Sequence, residues 1–241
     1  MPWKSCKKPT IKSASRCREA PPLKSPASTL IKICANTSVE DARLAERLGA
    51  DYIGVIVEHP PSPRHLDLAT ALRIRAAVNV PLVAVTVNLP LARLFQIHTE
   101  LRPAALQLHG DEPPDVVLQL NAEGITVWAV AAGTAETVQQ RARELSEVGA
   151  DAVLVDARQV TAQGTVYGGT GHISDWETAR ALVETGQRIV LAGGLEPGNV
   201  AEAVRTVRPW MVDVASGVEA RKGIKDARKV QEFIDAVRAI S

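Results

Sequence analysis

From residue 30 onward one beat repeats eight times: an apolar run of four to seven residues, a polar turn, then an amphipathic stretch. The runs lie near 30–34, 51–57, 81–87, 104–108, 125–130, 151–155, 188–192 and 210–214. Short runs rich in Val, Ile and Leu suit parallel strands buried on both faces. Helical patterns fill the gaps, among them 39–48, 68–78, 135–148 and 200–207. Ser38, Asp67 and Asn199 stand where N-caps belong, and Gly49, Gly149 and Gly186 where helices end. Strict strand-helix alternation predicts a parallel sheet with right-handed crossovers. Eight units in about 210 residues favour an α/β fold closed into a compact (β/α)8 TIM barrel over an open doubly wound sheet.

The charge is uneven. Residues 1–28 carry seven Lys/Arg against the single acid Glu19, while the remainder is mildly acidic. That first segment is rich in Ser, Pro and Lys and too poor in branched aliphatics to bury a core, so it reads as a disordered basic tail. A transit peptide, a nucleic-acid arm and a tail without a role all fit its composition. The expected division is therefore a tail over 1–28 and one barrel domain over 29–241. The acidic body argues against nucleic acid as a partner. No apolar run reaches the roughly 18 residues that span a bilayer, so no membrane partner is expected. Cys6, Cys17 and Cys34 form no pairing pattern, so a reduced, cytoplasmic setting is expected. The five histidines show no ligand spacing, and no metal is expected.

In such a barrel the loops after the strands line one mouth, and catalytic groups cluster there. The seventh run ends in Gly193-Gly194-Leu195 and the eighth in Asp213-Val214-Ala215-Ser216-Gly217. Each precedes a helical pattern, an arrangement whose backbone N–H groups hold a phosphate. A small phosphorylated molecule is therefore the expected substrate.

The other strand ends supply chemistry. Cys34 closes the first run and reads equally as a small buried hydrophobe and as a thiolate base whose pKa falls toward neutrality. Arg64 follows a proline-stiffened loop, where its fork suits a carboxylate, although a solvated arginine fits the same position. His109, in Gln107-Leu108-His109-Gly110, is either a polar substrate contact or a structural histidine. Asp156 ends the sixth run, as a cap or as a proton donor kept protonated by burial and by nearby Asp213. The glycine-rich Gly168–Gly171 stretch beyond it permits close backbone approach or a lid movement.

Taken in order, these pieces resemble the phosphoribosylanthranilate isomerase family. The carrying motifs are Lys32-Ile33-Cys34, Ser62-Pro63-Arg64, Gln107 to Gly110, Asp156 and Gly168 to Gly171. Gly193 to Leu195, Ser216 to Glu219 and Gly223 to Asp226 complete the set, which spans residues 30–241. The resemblance implies an aldose-ketose isomerase of tryptophan biosynthesis that needs no cofactor. Its reaction is an Amadori rearrangement of N-(5-phosphoribosyl)anthranilate to 1-(2-carboxyphenylamino)-1-deoxyribulose 5-phosphate. By matching position, Asp156 is the acid, Cys34 the base and Arg64 the clamp for the anthranilate carboxylate. His109, Asp213 and the loops of Gly193, Gly194, Ser216 and Gly217 hold the rest of the substrate. A monomer or homodimer is expected.

The chain departs from the family pattern at Ala35, where Gly is usual, at Asn36, where a larger residue is common, and at Ala215, where Ser is frequent. Val55 and Val57 replace aromatics in the second strand. Three readings compete. A histidine-pathway sibling or dual-substrate isomerase is disfavoured because that sibling uses two carboxylates where Cys34 stands here. Indoleglycerol-phosphate synthase needs early-strand lysines that are missing at the matching ends. A non-catalytic phosphate-sugar binding barrel is the reading from another class.

Overall fold

The computed structural model describes residues 28–156, 159–161, 164–166 and 175–240. The reading of residues 1–28 as a tail, but for residue 28, and that of Gly168–Gly171 as a stretch for close backbone approach or lid movement lie outside the described residues.

Eight strands appear where the beat placed them: β1 Leu30–Ile33, β2 Tyr52–Val57, β3 Leu82–Thr86, β4 Ala105–Leu108, β5 Val127–Ala132, β6 Ala152–Asp156, β7 Ile189–Leu191 and β8 Met211–Val214. All are parallel to their neighbours, and β1 pairs with both β8 and β2, so the sheet closes. Eight helices alternate with them: α1 Val39–Leu48, α2 Leu68–Ala77, α3 Leu91–Leu101, α4 Pro114–Ala122, α5 Ala135–Glu147, α6 Trp176–Glu184, α7 Val200–Val207 and α8 Ala227–Arg238. The (β/α)8 barrel expected from the alternation is the observed fold. Two short hairpins, Gln159–Thr161 with Gly164–Val166 and Glu219–Arg221 with Ile224–Lys225, decorate the mouth side of β6 and β8.

Local chemistry explains the element ends. Ser38 and Asp67 accept the N–H of Asp41 and Thr70, and Gly49 closes α1 in the left-handed region at φ 102°. Asn199 makes no capping bond. Its amide instead braces the turn before α7, donating to the Gly194 carbonyl and accepting the Glu196 N–H, at 2.9 Å each.

The core forms distinct layers. The largest lies between the sheet and the helix ring, where Ile53, Leu106, Val127, Phe233 and their neighbours are fully buried. Inside the barrel, Val83, Trp128, Val130, Leu154, Val190 and Met211 fill the lower half. Tyr52 and Trp210 pack on Trp128 with ring centroids 5.5 Å away in each case, plugging the end opposite the site. Above that plug the interior turns polar.

Candidate active site

The upper half of the barrel holds charged side chains out of water. Lys32 is fully buried on β1 and faces Asp213 on β8 because the two are register partners; Nζ lies 2.8 Å from Oδ2. Arg64 donates Nε and Nη2 side-on to Glu219 Oε1 and Oε2, both at 2.8 Å. Lys225 reaches the same carboxylate at 3.5 Å and donates to the Ala215 carbonyl at 3.1 Å. Three buried cations thus share two carboxylates, which leaves the cluster electropositive before any ligand arrives.

Above this floor lies a cavity of about 460 Å³, of the size that encloses a small metabolite. Cys34, Arg64, His109, Asp156 and Asp213 all line it, as do Gly193, Gly194 and Ser216. The sequence-predicted residues therefore converge on one chamber, with one exception. Gly217 is absent from the wall: a Cβ there would stand 2.0 Å from the Leu195 carbonyl oxygen. Its lack of a side chain lets the seventh and eighth loops touch. The backbone N–H groups of Gly193, Gly194 and Ser216 donate to no protein acceptor among the described residues.

Cys34 follows β1 and is 7% exposed. A Cβ on Gly54 would meet its Sγ at 2.7 Å and Lys32 Cε at 3.0 Å, so a glycine on β2 makes room for the sulfur. The expectation of a thiol pKa lowered toward neutrality is corrected here. Burial pushes it up, and the Asp213 carboxylate pushes the same way, against Lys32 and Lys225. The physical reason is burial first, since an enclosed sulfur disfavours its charged form, with the Asp213 carboxylate adding to it. Burial likewise lowers Lys225, whereas the Asp213 partner leaves Lys32 raised despite its own burial.

Asp156 closes β6 and is 6% exposed. Its partner is His109, whose Nε2 lies 3.1 Å from Oδ2. Asp213, the other aspartate lining the chamber, is paired with Lys32.

Other site residues were not singled out from the sequence. Lys32 and Lys225 sat inside recognised motifs, yet nothing in one chain says that their side chains turn inward. A lysine in the middle of the Leu30–Cys34 apolar run was the available signal. His59 and Lys222 also line the chamber and carried no signal. Burial, with the neighbouring His65 and His109, holds His59 below the usual imidazole range. Among the described residues no three His, Cys, Asp or Glu side chains are grouped to hold a metal, and no helix is long and apolar enough to cross a membrane.

The departures have structural consequences. Ala35 adopts φ 58°, the left-handed region that favours glycine. Asn36 is fully buried, and its amide donates to the Ile33 and Gly54 carbonyls at 2.8 and 3.1 Å, tying the first loop to β2. Val55 and Val57 are fully buried in the layer under the helices.

Comparison with known proteins gives a consistent picture. Residues 31–236 match the family model described as N-(5'phosphoribosyl)anthranilate (PRA) isomerase. An N-(5'-phosphoribosyl)anthranilate isomerase of Aquifex aeolicus is 40% identical over 217 residues, which cover 87% of this chain and 98% of that protein. The crystal structure of the phosphoribosyl anthranilate isomerase of Thermotoga maritima is similar with a TM-score of 0.77 at 33% identity, covering 88% and 99% of the two chains. A phosphoribosyl anthranilate isomerase in complex with reduced 1-(o-carboxyphenylamino)-1-deoxyribulose 5-phosphate is similar with a TM-score of 0.75 at 31% identity, covering 88% and 99%.

Proposed function

This chain belongs to the N-(5'-phosphoribosyl)anthranilate isomerase family, and from that premise we propose that Cys34 and Asp156 carry out its Amadori rearrangement as base and acid. The enzyme is a phosphoribosylanthranilate isomerase of tryptophan biosynthesis. The observation that carries the assignment of roles is the shared chamber. A thiol and a carboxyl line it together with an arginine fork and two loops bearing unpaired N–H groups.

The steps follow from these groups. Asp156 donates a proton to the furanose oxygen, the C1–O bond opens, and the anthranilate nitrogen supplies the electron pair that makes an iminium. The Cys34 thiolate then removes the C2 proton, giving an enolamine that tautomerises to the ketone. Each role supplies roughly 10²–10⁴-fold. The ring-opening step leaves a carboxylate beside an iminium cation, an opposite-charge pair whose mutual attraction offsets part of the cost of forming both charges in the chamber.

Binding divides along the wall. Arg64 spends one edge of its fork on Glu219 and keeps Nη1, with the second Nη2 hydrogen, for the anthranilate carboxylate. The N–H groups of Gly193, Gly194 and Ser216 take the phosphate, and Gly217 lets their two loops meet. Asp213 lines the chamber, and its carboxylate accepts from a ribose hydroxyl. His109 lines the wall beside Asp156.

The protein works without a cofactor, in the cytoplasm, as a monomer or homodimer, and residues 1–28 are dispensable for catalysis. Steady-state assay of the purified chain with N-(5-phosphoribosyl)anthranilate tests the reaction, and rescue of a tryptophan auxotroph lacking this isomerase tests it in cells. Absence of turnover in the first would overturn the reading in favour of a binding barrel.

A further inference from the structure

Gln107 and His109 are two residues apart at the end of β4, so their side chains leave the same face and enter the chamber together. Gln107 is 1% exposed, and its Nε2 lies 3.1 Å from His109 Nδ1. His109 Nε2 in turn lies 3.1 Å from Asp156 Oδ2. The Gln107 Oε1 atom is buried and has no partner among the described residues. An orphaned amide oxygen in a dry site is unfavourable by about 1–3 kcal/mol, and the bond to His109 is the contact that this arrangement secures.

We propose that Gln107 and His109 are positioning residues that fix which oxygen of Asp156 carries the catalytic proton. The inference rests on the reading of Asp156 as the acid. The Gln107 amide donates to Nδ1, which makes Nδ1 the acceptor and places the ring proton on Nε2. That N–H donates to Oδ2, leaving Oδ1 to hold the proton and present it to the furanose oxygen. When the Oδ1–H bond breaks and the ring oxygen takes the proton, the electron pair stays on the carboxylate. The His109 N–H then donates to a charged acceptor, so the bond strengthens as the reaction proceeds. His109 keeps its proton throughout. The neutrality of Gln107 matters as much as its reach: a carboxylate in its place would accept from Nδ1–H and stabilise an imidazolium.

The test combines ring-nitrogen NMR with kinetics. With ¹⁵N-labelled histidine, the resonance lost in His109→Gln identifies His109 among the five histidines. The wild-type enzyme should show His109 neutral, protonated at Nε2 and bare at Nδ1, and Gln107→Met should lose that single-tautomer signature. His109→Leu should lower kcat roughly 10–100-fold, the worth of a hydrogen bond to a charged group, with KM within about threefold. His109→Gln, which returns an amide N–H near the Nε2 position, should recover most of that loss; a residue needed only for packing would show no such rescue. A wild-type His109 protonated at Nδ1, or a His109→Leu enzyme with kcat within about threefold of wild type, would overturn the proposal. Asp156→Asn separates the two failures. An active Asp156→Asn enzyme removes the acid assignment itself, whereas an inactive one beside an active His109→Leu removes only the positioning role.

Discussion

Lys32 and Asp213 face each other across the seam that closes the barrel, 2.8 Å apart and shielded from water, with Lys32 two residues before Cys34 in the chain. This pair sets the electrostatics of the sulfur. Burial raises the thiol most, the Asp213 charge raises it further, and Lys32 lowers it through its charge and a hydrogen bond. Asp213→Asn should therefore move the onset of thiolate absorbance, and the ascending limb of kcat/KM, to lower pH. It should also destabilise the fold by about 3–5 kcal/mol, because Lys32 loses its buried partner. A thiolate onset that stays put or moves upward would contradict this ordering.

The raised thiol also makes stability depend on pH. Above the ordinary thiol range the unfolded chain has lost the Cys34 proton while the folded chain still holds it. The unfolded state then binds fewer protons, so stability falls as pH rises, until the folded thiol itself titrates. Denaturant unfolding across pH 8 to 10 should show a decline that is shallower in Cys34→Ala by this one group's share. Equal slopes in the two proteins would contradict the direction assigned to Cys34.

Arg64 has two edges with two tasks. Arg64→Ala should raise KM at least about tenfold with a much smaller change in kcat, since it removes a carboxylate contact made in both ground and transition states. Glu219→Gln should raise KM less, because the fork remains but is held by a weaker acceptor. An unchanged KM in Arg64→Ala would remove the clamp from the mechanism.

Ala35 sits in a backbone region that disfavours an alanine by about 1–2 kcal/mol. Replacing it with glycine relieves that strain but enlarges the unfolded ensemble by about 0.4–1 kcal/mol. Ala35→Gly should thus raise Tm by about 1–3 °C. A lower Tm would mean that the methyl group's contacts beside Cys34 outweigh the strain.

How far the sequence reveals this molecule differs between its parts. The barrel was legible because each strand is a short aliphatic run and each helix carries its own punctuation, as at Ser38 and Gly49. Cys34, Asp156, Arg64 and the two glycine-bearing loops were legible because strand ends in such a barrel share one mouth. The pairings were not. That Lys32 meets Asp213 depends on the register of the closing strands, 181 residues apart in the chain. That His109 meets Asp156 depends on two strand ends meeting over the chamber, 47 residues apart in the chain. The direction of the Cys34 shift follows from burial first and from the Asp213 carboxylate next, neither of which a strand-end position alone reveals. Asn199 does stand at the N-cap position of α7, but its side chain bonds Gly194 and Glu196 in the preceding turn rather than a helix N–H, a choice that depends on the folded turn.

The central claim is that a thiolate and a carboxylic acid act on one ribose between them. It is tested most directly by steady-state turnover of N-(5-phosphoribosyl)anthranilate by Cys34→Ser and Asp156→Asn, with folding verified by circular dichroism and Tm. Each variant should remain folded and lose at least about 100-fold in kcat. A folded variant turning over at close to the wild-type rate would contradict the role assigned to the residue it replaces.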